Sequence, residues 1–210
     1  MGRQAALKVV EVNHRYERGA LWTKPLSFTW AAPQAIAITG PNGTGKSTLL
    51  SIVGGLLRPT DGTVSFSFEG ASLSPGSWRQ YIAWLSPHLY PPADLTIQDL
   101  LQSYIWFKGL RLSPGLLEEV QLQARLRAPL SHLSSGQCQR LLLALTLALQ
   151  RPILILDEPT AFLDEDWKAF FHDRLRRVIE KGQTLVLCAT NDPSEAALFP
   201  ENLYLGTYAA

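Results

Sequence analysis

Apolar residues fall along this chain in two rhythms. Four runs of strand length, Ala35 to Thr39, Tyr81 to Leu85, Ile153 to Leu156 and Thr184 to Ala189, are almost continuously apolar, which predicts strands buried on both faces. Helical stretches lie between them, Thr48 to Leu56 after the first run and Gly136 to Leu149 before the third. Buried strands alternating with helices predict an α/β core around a parallel sheet. Nearer the N-terminus, Leu7 to Val12, Leu26 to Trp30 and Thr63 to Phe68 alternate more and are joined by Gly, Pro and Asp turns. An antiparallel β region flanking the core is expected there. From Leu95 to Arg127 the period turns helical, with Ile97, Leu100, Leu101, Tyr104 and Ile105 followed, past Ser113 and Pro114, by Leu116, Leu117, Val120 and Leu122. That pattern reads as a small helical insertion into the core, with no internal repeat anywhere.

A length of 210 residues fits one domain, divided as a core of 1–94 and 152–210 with a helical subdomain at 95–151. The chain is 46% hydrophobic and 18% charged, a packed globule that leans apolar and can reserve some apolar surface for a partner. A net charge of +1 and the absence of a long Lys/Arg run weigh against a nucleic-acid groove, so no nucleic acid is expected as a partner. The longest apolar run, Leu141 to Leu149, is interrupted only by Thr146 and is far shorter than the ~20 residues a helix needs to cross a bilayer. Met1 to Lys8 lacks an apolar stretch of signal-peptide length, and Cys138 and Cys188 lie far apart in apolar surroundings. A reduced, cytosolic protein follows, with both cysteines as packing residues and a disulfide between them left open.

Gly40-Pro41-Asn42-Gly43-Thr44-Gly45-Lys46-Ser47 has the spacing of a phosphate-binding P-loop, and the required strand and helix flank it. Glycines let the backbone N–H groups curl around a phosphate, Lys46 adds a positive charge, and the Ser47 hydroxyl can ligate Mg²⁺. Thr48 opens the following helix and belongs to the same candidate nucleotide site. Ile153 to Leu156 then delivers Asp157 and Glu158 at a strand's C-terminal end, where α/β proteins place ligands. Asp157 is the candidate for the Mg²⁺ shell and Glu158 for the general base that handles the attacking water. A plain Gly-rich turn is the competing reading of the loop, and Lys46, Ser47 and both flanking elements count against it; two acids opening a helix is the competing reading of the pair, and the accompanying P-loop counts against that.

Leu133-Ser134-Ser135-Gly136-Gln137, lying just before the Asp-Glu pair, resembles the Leu-Ser-Gly-Gly-Gln signature of the ABC ATPases, and the resemblance extends over nearly the whole chain. It implies an α/β P-loop NTPase of the ABC type: a mixed sheet core, an antiparallel β region and an inserted helical subdomain. It further implies ATP and Mg²⁺ as ligands, ATP hydrolysis, and a dimer in which Ser134, Ser135, Gly136 and Gln137 complete the pocket of the opposite subunit. By itself Ser134 reads first as a plain helix N-cap, and its place in the ordered series of motifs favours the nucleotide role. Pro159 to Asp164 resembles the D-loop that joins the two sites, and Tyr16 occupies the place of the aromatic that stacks on adenine. The implied partners are a membrane-spanning transporter subunit and a second ATP-binding subunit, with the chain peripheral on the inner face of the membrane. Leu89 and Tyr90, with Tyr104, Trp106 and Phe107 on the next helix, form the expected partner surface.

Two positions depart from the family pattern. Ser86-Pro87-His88 stands where the family carries Gln after the strand ending at Leu85, and Ser86 or His88 is the candidate substitute. Asn191 occupies the place of the switch histidine. A carboxamide donates hydrogen bonds but carries no charge, so slower hydrolysis is expected. A low-turnover partner in a heterodimer and a non-transport ABC ATPase are the rival functions. The intact Glu158 weighs against the first, and the lack of arms or basic linkers against the second.

Overall fold

The computed structural model describes residues 4–17, 19–74, 76–109, 113 and 115–209, with the backbone alone at His88 and Lys108. Pro114, Met1 to Arg3 and the side chain of His88, all used above, lie outside the described residues. In chain order the elements are β1 (Ala5–Asn13), β2 (Arg15–Tyr16), β3 (Gly19–Ala20), β4 (Leu26–Ala31), β5 (Ala35–Thr39), α1 (Lys46–Val53), β6 (Asp61–Phe68), β7 (Ala71–Leu73) and β8 (Ile82–Leu85). There follow α2 (Ile97–Lys108), α3 (Leu116–Glu119), α4 (Ser135–Ala148), β9 (Ile153–Asp157), α5 (Glu165–Glu180), β10 (Leu185–Ala189), α6 (Pro193–Ala196) and β11 (Glu201–Tyr204).

Parallel and antiparallel pairing are segregated. A five-stranded sheet in the order β11-β5-β10-β9-β8 is parallel throughout, and a four-stranded sheet in the order β4-β1-β6-β7 is antiparallel. Because side chains alternate across a strand, the parallel sheet feeds two apolar cores. Leu154 and Leu156 face the core that takes in Ile97 and Leu100 of α2, Leu141 and Leu145 of α4 and Phe171 of α5. Ile153 and Ile155 face the other core, with Leu49 and Leu50 of α1 and the inward face of β1. This two-sided burial is why these strands read as continuous apolar runs.

Several expected boundaries shift, Thr184 lying outside β10 and α4 running from Ser135 to Ala148 among them. Tyr81 ends a 3-10 turn, and the strand begins at Ile82. The helix after the phosphate loop starts at Lys46 and stops at Val53, since Gly54 and Gly55 follow. The expected helical stretch to Arg127 resolves into α2, whose N-terminus Thr96 and Asp99 close by a reciprocal capping box, the four-residue α3 and a short 3-10 turn. Cys188 is buried, Cys138 is half-buried, and both are free thiols. No helix among the described residues is long and apolar enough to cross a membrane.

Candidate functional site

Parallel strands all point the same way, so the loops leaving β5, β8, β9 and β10 gather at one edge of the sheet. Register makes this quantitative: Ala189, the last residue of β10, stands opposite both Ile38 and Asp157. The segments carrying Lys46, Asp157, Glu158 and Asn191 therefore leave the sheet at nearly one level.

The phosphate loop is held from its N-terminal side. Trp22 is fully buried and donates its indole N–H to the Thr44 carbonyl at 2.9 Å, and Asn13 fixes Trp22 in turn by donating to its carbonyl at 2.8 Å. Gly45 caps α1 with a φ of 92°, and a Cβ there would lie 2.5 Å from Leu21 Cδ2. Only glycine meets both the conformation and the space. Tyr16 lies over the first turn of this helix, its hydroxyl 3.1 Å from Thr48 Oγ1 and its ring half exposed. An open cavity of about 510 Å³ lined by Gly40, Pro41, Thr190 and Asn191 flanks the loop.

Lys46 is buried, and its ammonium donates to the carbonyls of Gly40 at 2.9 Å and Pro41 at 3.4 Å and to Asn191 Oδ1 at 3.0 Å. The Asn191 amide donates in turn to Asn42 Oδ1 at 2.8 Å and to Glu158 Oε1 at 2.9 Å. One hydrogen-bonded chain thus runs from the ammonium through the carboxamide to the carboxylate. Burial pushes the Glu158 carboxyl above its ordinary value, Lys46 and Asn191 pull it back, and Asp157 and Asp192 add to the rise. Glu158 itself has a φ of 48°, the left-handed region that costs a non-glycine residue about 1 kcal/mol or more and recurs at functional sites.

Asp157 is buried beside this chain and accepts from Ser47 Oγ at 3.0 Å and from Ser86 Oγ at 3.1 Å. Ser86, the position where the sequence lacks Gln, therefore reaches the acid directly from the end of β8. Ser134, Ser135, Gly136 and Gln137 make no hydrogen bond to the phosphate loop among the described residues. Ser134 and Gln137 instead cap α4 reciprocally, Gln137 N donating to Ser134 Oγ at 3.2 Å and Ser134 N to Gln137 Oε1 at 3.1 Å. Gly136 packs so closely that a Cβ would lie 2.9 Å from the Phe162 carbonyl, which joins the start of α4 to the loop after Glu158.

Sequence reasoning missed Gln139 and Glu195. The buried Gln139 accepts from the Tyr90 hydroxyl and donates to the Pro159 carbonyl, and its only sequence signal is a polar residue inside an apolar helical run. Glu195 is fully buried in α6 and reads from sequence as an ordinary helix acid.

Residues 23–161 match the family model described as ABC transporter. The chain is 39% identical over 176 residues to the cytochrome c biogenesis ATP-binding export protein CcmA of Rhizobium johnstonii, covering 80% of each. It is 36% identical over 178 residues to the protein of that name from Agrobacterium fabrum, covering 80% of this chain and 81% of the relative. A solved dimeric ATP-binding cassette in a post-hydrolysis state, bound to ADP and Pi, shares the fold with a TM-score of 0.81 and 24% identity over 95% of each chain.

Lys46→Ala removes a charge and no apolar packing, so the variant is expected to stay folded and lose ATP binding in calorimetric titration. An affinity within about twofold of the parent contradicts the placement of phosphate at this loop.

Proposed function

The chain belongs to the ABC transporter family as an ATP-binding subunit, and we propose that it hydrolyses ATP with Glu158 as general base in a pocket completed by a second ATP-binding subunit. The hydrogen-bonded chain Lys46–Asn191–Glu158 carries this reading, because it sets a phosphate-binding cation and a carboxylate with a raised pKa on the two sides of one amide. In this reading the loop from Gly40 to Thr48 cradles the phosphates and Tyr16 stacks on adenine. Glu158 takes the proton from water as its oxygen bonds to the γ-phosphorus and the bond to the leaving ADP oxygen breaks. Asn191 then offers one N–H to a γ-phosphate oxygen, redirected from Asn42 or Glu158.

Ser47 and Asp157 suit Mg²⁺, since a hydroxyl and a carboxylate 3.0 Å apart are hard oxygen donors beside the phosphate loop. Bound there, the ion neutralises charge on the phosphate oxygens. Ser134, Ser135, Gly136 and Gln137 face the partner's nucleotide in trans, supported by the exposed, capped helix start they form. Turnover is slow because the Asn191 carboxamide cannot carry the charge an imidazole carries.

A membrane-spanning subunit is the second partner, which places the chain peripherally on the cytoplasmic face. Its dock is the 86–109 segment, which runs from the end of the core into a helical subdomain at 95–151. Leu89 is 44% exposed, and Trp106 and Phe107 at the end of α2 are 82% and 84% exposed, so neither of the latter closes a local core. Tyr90, through Gln139, touches the Pro159 carbonyl beside Glu158, giving the dock a direct path to the site.

Glu158→Gln keeps the pocket and removes the base, so it is expected to elute as a dimer in size-exclusion chromatography with ATP and Mg²⁺. A monomer under those conditions contradicts the shared pocket. Asn191→His is expected to raise the turnover number with ATP affinity within about twofold of the parent. An unchanged or lower rate shows that the amide does not limit turnover.

A further inference from the structure

Helix α4 buries two polar side chains, Gln139 and Thr146. Thr146 is satisfied within the helix, donating to the Leu142 carbonyl at 2.7 Å. Gln139 is 3% exposed and makes its bonds outside the helix, its Nε2 donating to the Pro159 carbonyl and its Oε1 accepting from the Tyr90 hydroxyl. A carbonyl can only accept, so the Pro159 bond fixes which end of the amide faces it and leaves the amide oxygen for Tyr90. Pro159 is buried, and no backbone N–H among the described residues reaches its carbonyl. Gln139 supplies the partner that a buried carbonyl needs.

Pro159 follows Glu158, whose φ of 48° is a conformation that persists only where the surroundings over-determine it. On the N-terminal side the Glu158 N–H donates to the Ala189 carbonyl at 2.9 Å. On the C-terminal side the backbone bond is longer, Ala161 N–H to the Glu158 carbonyl at 3.3 Å, and α4 adds the rest. Besides the Gln139 bond, a Cβ on Gly136 would lie 2.9 Å from the Phe162 carbonyl, and the Arg140 guanidinium stands 4.2 Å from the centre of the Trp167 ring. Gly136, Gln139 and Arg140 are three and four residues apart, so one face of α4 holds the segment 159–167.

We propose that Gln139 is a positioning residue for ATP hydrolysis: by tying the Pro159 carbonyl to α4, with Tyr90 orienting its amide, it keeps the Glu158 carboxylate within hydrogen-bonding distance of Asn191. The inference rests on the base role of Glu158 and is independent of the docking surface. Without the bond the turn at Glu158 is free to relax toward an ordinary φ, which swings the carboxylate away from the water it activates. Misplacement of a catalytic group by about 1 Å costs on the order of a hundredfold in rate, so a partial relaxation is enough to be measured.

The test compares single-turnover ATP hydrolysis, ATP affinity and thermal transition in the parent, Gln139→Met, Tyr90→Phe, Glu158→Gln and the double variants. Gln139→Met keeps the side chain's length and removes both hydrogen bonds; it is expected to lower the rate on the order of tenfold with ATP affinity within about twofold. Tyr90→Phe leaves the Pro159 bond in place and is expected to lower the rate about threefold, and combining it with Gln139→Met should add nothing further. In the Glu158→Gln background, Gln139→Met should leave the residual rate within about twofold, because no base remains to be misplaced. An equal loss from Gln139→Met in both backgrounds, or a loss of rate and affinity together, is what a merely structural role gives and overturns the proposal. So does a parental rate in Gln139→Met. If Gln139→Met shows no cooperative thermal transition, Tyr90→Phe decides, and a parental rate there overturns the proposal. A parental rate in Glu158→Gln removes the base assignment and this inference together, whereas a lost rate in Glu158→Gln beside a parental rate in Gln139→Met removes this inference alone.

Discussion

The carboxamide of Asn191 has two N–H donors and one carbonyl acceptor, and all three are engaged: the carbonyl by Lys46, the N–H groups by Asn42 and Glu158. This saturation binds the phosphate loop, the strand end of β9 and the strand end of β10 into one unit. It also sets the terms for nucleotide. In the proposed mechanism a γ-phosphate takes a hydrogen bond from Asn191 by displacing Asn42 or Glu158, and Lys46 turns from the loop carbonyls to the phosphates. An imidazole in the same place could hold charge, while the amide contributes direction alone.

What holds the amide in reach is the register of the parallel sheet and the packing beneath it. Ala189 is level with Ile38 and Asp157, so a slip of one residue in any of these strands would turn Asp157 away from Ser47. On the outer side Trp22 fixes the loop at Thr44 and Gly45, and on the inner side Ser86 fixes Asp157. Gln139 extends the same construction, carrying a contact from Tyr90 to the peptide after Glu158. Two hydrogen bonds thus separate Tyr90, on the proposed partner surface, from the peptide after Glu158.

The buried strands were legible because both faces of the parallel sheet are covered, and β5 reads off the sequence with its observed bounds. β11 escaped because an edge strand of four residues with mostly exposed side chains has no apolar run. Ser134 and Asp164 cap α4 and α5 as their residue types predict, whatever further role they take. The phosphate loop, the Asp-Glu pair and Asn191 were readable as local motifs. Gln139 was not, because its contacts reach Tyr90 and Pro159, which are distant in sequence. Ser86 fell between: its position marked it, but only the fold shows its hydroxyl on Asp157.

The idea that the half-buried carboxylate of Glu158, next to Asn191, takes the proton from water is open to one decisive reading, the pH dependence of ATP turnover by the purified chain with saturating ATP and Mg²⁺. Burial holds the Glu158 carboxyl above 4.5, so its basic form is lost as pH falls through that raised value. Turnover should therefore decline along an acid limb that lies above the ordinary carboxylate range. A rate that stays level as pH falls to 4.5 would mean that Glu158 is not the base.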